Sequence, residues 1–197
     1  FGSVKANPWW STPLMPVVFL FSAIVSGIAC VMLLYMAMCR LRRVAVDMRC
    51  VDTIAKYLLY AFLIDFSLEM LDLIHRIYEA DESLRALDFM VKTRLFVSQI
   101  FLQIILGTLV PIGLLTIIQL VKIRERLRLM AYSVAGILTL VGIFAMRWNV
   151  VIGGQLFSKS FLGYTSYKLQ FATREGLFSA IVIMLLPFLI LTVLVRF

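Results

Sequence analysis

An apolar segment from about Thr53 to Tyr78 is long enough to cross a bilayer as a helix, yet it carries Asp65, Glu69, Asp72, His75 and Arg76. At 100° per residue, Asp65, Glu69, Asp72 and Arg76 fall within about 60° of one another, with His75 at the edge of the stripe. The opposite face is made of Leu58, Leu59, Phe62, Leu63, Phe66, Met70 and Leu73. One charged side chain near mid-membrane costs at least about 2.5–3.5 kcal/mol. Three acids on one stripe must therefore face a protein interior or a wet path. Two readings follow. The acids form structural ion pairs, Asp72 with Arg76 one turn on, or they form a row that conducts or exchanges protons.

The rest of the chain suits a housing for that helix. Of its 197 residues 62% are hydrophobic and only 15% charged, against about 25% charged in an ordinary soluble domain. The mean hydropathy is +1.00. This composition points to an all-α integral membrane protein of several passes. The net charge of +8 sits in short clusters beside apolar segments, where a topology signal belongs, and does not suggest nucleic acid. No signal peptide is visible. The chain opens on Phe1 rather than Met, which suggests that it starts partway through a longer protein. Cys30, Cys39 and Cys50 have no C-x-x-C spacing and cannot supply an iron–sulfur or zinc site, so no metal site is expected. His75 is the single histidine, too few for a haem ligated by two. Any redox role must borrow its centres from a partner.

Read in order, Asn7-Pro-Trp-Trp-Ser-Thr-Pro13 precedes the first span as an interfacial belt. Spans are expected at about 14–39, 53–78, 95–121, 129–148 and 175–195, forming one helical domain over 1–197. The first holds a small-residue face of Ser22, Ser26 and Ala29, with Gly27 beside it. The third carries Gln99 and Gln103 one turn apart, and Pro111, which should bend it and free a carbonyl. Basic connections containing Arg40, Arg42, Arg43 and Arg49, and Lys122 to Arg128, belong in the cytoplasm, as then does the C-terminus. The connection 147–174 then lies outside.

That outer connection keeps apolar alternation and a Gly153-Gly154 pair, and sets Arg147, Trp148, Asn149, Gln155 and Lys159 near one membrane surface. Trp148 and Phe157 suit stacking on a flat ring, and Asn149, Gln155 and Lys159 suit hydrogen bonds to its carbonyls. An amphipathic interfacial segment with a snorkelling lysine explains the same residues.

The run Arg147-Trp-Asn-Val-Val-Ile-Gly-Gly-Gln155, the Pro8-Trp-Trp-Ser-Thr-Pro13 opening and Ser22-Ala-Ile-Val-Ser-Gly-Ile-Ala29 resemble the NrfD/PsrC family. These are the membrane subunits of polysulphide reductase-like enzymes, also found in alternative complex III. The resemblance implies a two-bundle fold of which this chain is the C-terminal half. It implies no cofactor of the chain's own, quinone or menaquinone as substrate, and an iron–sulfur subunit on the outer face. Other membrane subunits, including the other bundle, and cytochrome c subunits are the further partners it implies, in a bacterial or archaeal cytoplasmic membrane. On this reading the chain passes electrons between the quinone pool and the iron–sulfur partner. Asp65, Glu69, Asp72, His75 and Arg76 make the proton path, and Arg147, Trp148, Asn149, Gly153, Gly154, Gln155 and Lys159 touch the quinone. A proton-coupled transporter or channel, and a passive anchor for a peripheral enzyme, are the alternatives.

Overall fold

The computed structural model describes residues 14–79, 91–121, 124–156 and 177–196, all but the connections of which are helical. Pro16 sits in the first turn of α1, Met15–Leu41, where its missing N–H costs nothing. The helix stops at Arg43, whose φ of 55° is left-handed. There the Arg43 N–H bonds the Arg40 carbonyl at 3.3 Å and the Val44 N–H bonds the Cys39 carbonyl at 3.0 Å. This is the double hydrogen-bonded C-cap that glycine usually provides. Four residues later Asp47 accepts the Arg49 N–H at 2.9 Å and caps α2, Met48–Glu79.

A π-helix, Val91–Leu109, follows and runs directly into α3, Val110–Leu120. Pro111 lies in the first turn of α3. Having no N–H to donate, it fits where the wider i→i+5 winding gives way to the α-helix. Where a bend is expected at Pro111, the helix changes its winding just before it. Thr108 donates its hydroxyl to the Gln103 carbonyl, five residues back, at 3.0 Å. The two long remaining helices are α4, Glu125–Leu156, and α5, Leu177–Arg196.

From α1 to α4 the helices run alternately up and down, with the π-helix and α3 as one rod, as their polar contacts show. At one end Asp52, near the start of α2, accepts hydrogen bonds from Arg128 and from Tyr132, the latter at 2.9 Å, near the start of α4. The Tyr35 hydroxyl of α1 meets the Asp47 N–H there at 3.3 Å. At the other end the first turn of α1, the second half of α2, the middle of the π-helix and the second half of α4 close around one cavity. Between the two ends lies an apolar core in which Val25, Met32, Leu58, Leu115 and Tyr132 are fully buried.

Small residues set the closest approach in this bundle. The π-helix and α4 meet at Gly107 and Gly142, where a Cβ on either residue would strike the other's backbone. On α1 the small face is half used: Ser22 and Ala29 are buried, while Gly27 has open space where a Cβ would stand.

Outward surfaces are apolar: Leu20, Val31, Leu63, Ile74, Ile137 and Phe144 are all exposed, as is α5 from Ile181 to Val193. Such a surface is at home in lipid. Among the described residues, Met15–Leu41, Gln99–Leu120 and Glu125–Val151 are long and apolar enough to cross a membrane, and Ile181–Val193 is a shorter apolar helix. The molecule is an all-α integral membrane bundle. The acids of α2 and its Lys56 keep that helix from qualifying on composition alone.

Candidate functional site

The stripe on α2 turns inward. Asp65 is 4% exposed, and Glu69 and Asp72 are half-buried and line a cavity of about 140 Å³. Met15 and Val18 of α1, Met70 and Leu73 of α2, and Met146 and Val150 of α4 supply apolar wall. Gln99 and Gln103 of the π-helix and Asn149 of α4 face the acids across it. Asn149, 2% exposed, donates its amide to Gln103 Oε1 at 3.0 Å. That bond ties α4 to the π-helix and leaves the Gln103 amino group to act as a donor. Gln99 Oε1 is buried without a hydrogen-bond partner among the described residues.

The cavity continues inward. A second pocket of about 10 Å³ is bounded by Asp65, Glu69, Gln103, Thr108, Gly107 and Gly142, with Phe62, Phe66, Ile143 and Met146 around them. Glu69, Gln103 and Met146 border both spaces. Asp65 Oδ1 is buried here with no hydrogen-bond partner among the described residues. The Arg147 guanidinium, on α4, lies 5.9 Å over the Phe19 ring of α1. Glu69 stands about one turn from Asp65 and one turn from Asp72 on α2.

The residues singled out from sequence divide accordingly. Asp65, Glu69, Asp72 and Asn149 come together. His75 is half-buried on α2, one turn beyond the cavity acids; Arg76 is in the same helix, its side chain outside the described residues. Arg147 lines neither pocket and places its guanidinium over the Phe19 ring of α1. Trp148 is absent from the cavity lining and packs on exposed Phe144, ring centroids 6.1 Å apart. Gly153, Gly154 and Gln155 lie in the last turns of α4, which extends the helix into the stretch expected to be a connection. Lys159 and the Trp9-Trp10 belt fall outside the described residues. Gln99 and Gln103, noted above only as part of a span, supply two of the cavity's polar lining residues. Their one-turn spacing in an apolar segment was the signal.

Chemically, the site combines a dry wall, amide groups, carboxylates and a water-sized extension. Among the described residues no three of His, Cys, Asp and Glu are grouped to hold a metal ion. The three cysteines are free and half-buried. This is a polytopic membrane helix bundle with a buried acid row beside a cavity near one end. Its sequence matches the model of the family described as polysulphide reductase, NrfD, over residues 1–159. The chain belongs to the NrfD family. Membership implies a quinone-interacting membrane subunit of a reductase complex. Neither a curated protein nor a solved structure matches the chain.

Proposed function

We propose that the cavity receives the head of a quinol or quinone, and that the chain serves electron transfer between the quinone pool and an iron–sulfur subunit. One observation carries this. A cavity of about 140 Å³ sets carboxylates on one wall against amides on the other, between apolar side chains. An engineered cavity of about 150 Å³ takes up benzene, so the space is on the scale of one ring. Quinol oxidation releases two protons with its two electrons, and Glu69 and Asp72 stand where a ring hydroxyl would give them up. Gln103, Gln99 and Asn149 orient the ring through its oxygens.

In this reading five segments cross the membrane, α2 among them with its acids turned to the bundle, and the basic connections lie in the cytoplasm with the C-terminus. The cavity then opens near the outer face, where an iron–sulfur partner would dock. The tailed part of the quinone leaves between helices into lipid, and the other bundle completes the complex. The setting is a bacterial or archaeal cytoplasmic membrane.

The deciding experiment is a structure of the purified complex with a quinone-site inhibitor. Inhibitor density against Glu69, Gln103 and Asn149, with an iron–sulfur cluster beyond it, supports the reading. Density confined to another bundle would leave this chain a proton-handling role. A preparation that carries no iron–sulfur partner yet conducts protons would replace the reading with a proton-coupled transporter.

A further inference from the structure

We propose that the polar path in this bundle opens to one side only: from the cavity it reaches Asp65 through a pocket that takes a single water, and there it ends. The inner pocket, about 10 Å³, is at the lower limit for one water, which needs roughly 10–15 Å³ and two to four polar partners. Asp65 Oδ1, buried and unpartnered among the described residues, is one such partner. Glu69, Gln103 and the Thr108 hydroxyl are the others at its wall. A water there joins Asp65 to Glu69, and Glu69 also borders the cavity.

Beyond Asp65 the described core is apolar. The next acid on α2 toward the basic connections is Asp52, thirteen residues earlier, or about 20 Å along a helix rising 1.5 Å per residue. The inward residues of α2 over that distance are Phe62, Leu59, Leu58 and Ala55, all buried. Met32, Leu115 and Ile143 close over them from the neighbouring helices. The hydroxyls of Ser22, Ser133 and Thr139 are each donated to a carbonyl of their own helix. Tyr132 is turned to Asp52, and Arg128 bonds the same carboxylate. Lys56, Tyr57 and Tyr60 are exposed on the outer face of α2. Gly107 and Gly142, backbone against backbone, seal the pocket on the side of the π-helix and α4.

For quinol chemistry the consequence rests on the reading above: protons released at the cavity leave on the side opposite the basic connections. In this conformation no chain of polar side chains crosses the bundle among the described residues.

The test uses the full complex in membrane vesicles of both orientations, with Cys30, Cys39 and Cys50 replaced by Ala. Single cysteines are placed by Glu69→Cys, Asp72→Cys, Phe62→Cys and Leu58→Cys, with Arg49→Cys as the marker of the basic side. The probe is a membrane-impermeant methanethiosulfonate. Cysteines at 69 and 72 should react only from the side opposite Arg49→Cys, and those at 62 and 58 from neither. Reaction at 58, 62 or 69 from the marker side would overturn the proposal, and so would unreactive cysteines at both 69 and 72. Labelling needs no quinone. One-sided labelling without inhibitor binding sinks the quinol reading alone, and labelling from the marker side with inhibitor bound sinks only the one-sided path.

Discussion

Gly107 and Gly142 touch through their backbones: a Cβ on Gly142 would lie 2.8 Å from the Gly107 carbonyl carbon and oxygen, and would collide with its Cα. The neighbour is main chain on both sides, so no side chain can swing away. Gly136 differs, because its added Cβ would meet only the Leu33 side chain, at 3.0–3.3 Å. Gly142→Ala should therefore push α4 off the π-helix and cost at least the about 1–3 kcal/mol of an overpacked core. Gly136→Ala should cost less, since Leu33 can rotate. Thermal melting of the purified complex checks the order; equal melting temperatures for the two variants would contradict the contact.

Asp52 serves two donors from α4 with one carboxylate oxygen, Arg128 and the fully buried Tyr132. Tyr132→Phe removes one hydrogen bond without leaving a cavity and should cost about 1 kcal/mol. Asp52→Asn should cost more, because Arg128 loses its countercharge. Side-chain exposures of 24% for Arg128 and 35% for Asp52 let solvent screen much of that loss. Denaturant midpoints of the two variants, measured at low and high salt, should separate them: only the Asp52→Asn difference should shrink with salt.

Much of this arrangement is legible in the sequence because it follows from periodicity and cost. Three acids at helical spacing in an apolar segment had to face inward, and Asp65, Glu69 and Asp72 do. Partners across helices are another matter. Nothing in the order of residues says that Asn149 bonds Gln103, since that depends on how α4 rotates against the π-helix. Asp52 reads as one charge among many in a basic connection until α4 brings Arg128 and Tyr132 to it. Trp148 has the chemistry to stack on a ring, but its place on α4 sets it against Phe144 instead. The Gly107–Gly142 contact is hidden for the same reason. The π-winding that ends at Leu109 shifts the residues before it relative to the α-helical expectation.

The Asn149–Gln103 bond offers a sharper test of the cavity. Asn149→Ala removes the bond and one polar wall group, and should weaken quinone-site inhibitor binding by about 1 kcal/mol, roughly fivefold. Gln103→Leu should do the same, and the double variant should lose less than the sum because the two amides form one unit. Trp148→Ala should leave the affinity unchanged, as Trp148 does not line the cavity. A larger loss from Trp148→Ala than from Asn149→Ala would move the binding site to the end of α4 and away from the acids.

Glu69 borders both the cavity and the inner pocket, while Asp65 borders only the inner pocket. If the acids accept protons from a bound quinol, Glu69→Gln keeps the shape of the side chain and removes its ability to take a proton. Turnover should fall on the order of 10²-fold, the lower range for a lost acid–base group, with the complex still assembled. Asp65→Asn should slow turnover far less if the path ends at Asp65, because protons leaving past Asp72 never need it. A path crossing the bundle would instead make the two substitutions equally damaging, since a row fails at any break. Steady-state quinol oxidation by the two variants, normalised to assembled complex, therefore distinguishes a terminal Asp65 from a relay. Normal turnover in both variants and in the double variant would leave the stripe as structural ion pairing.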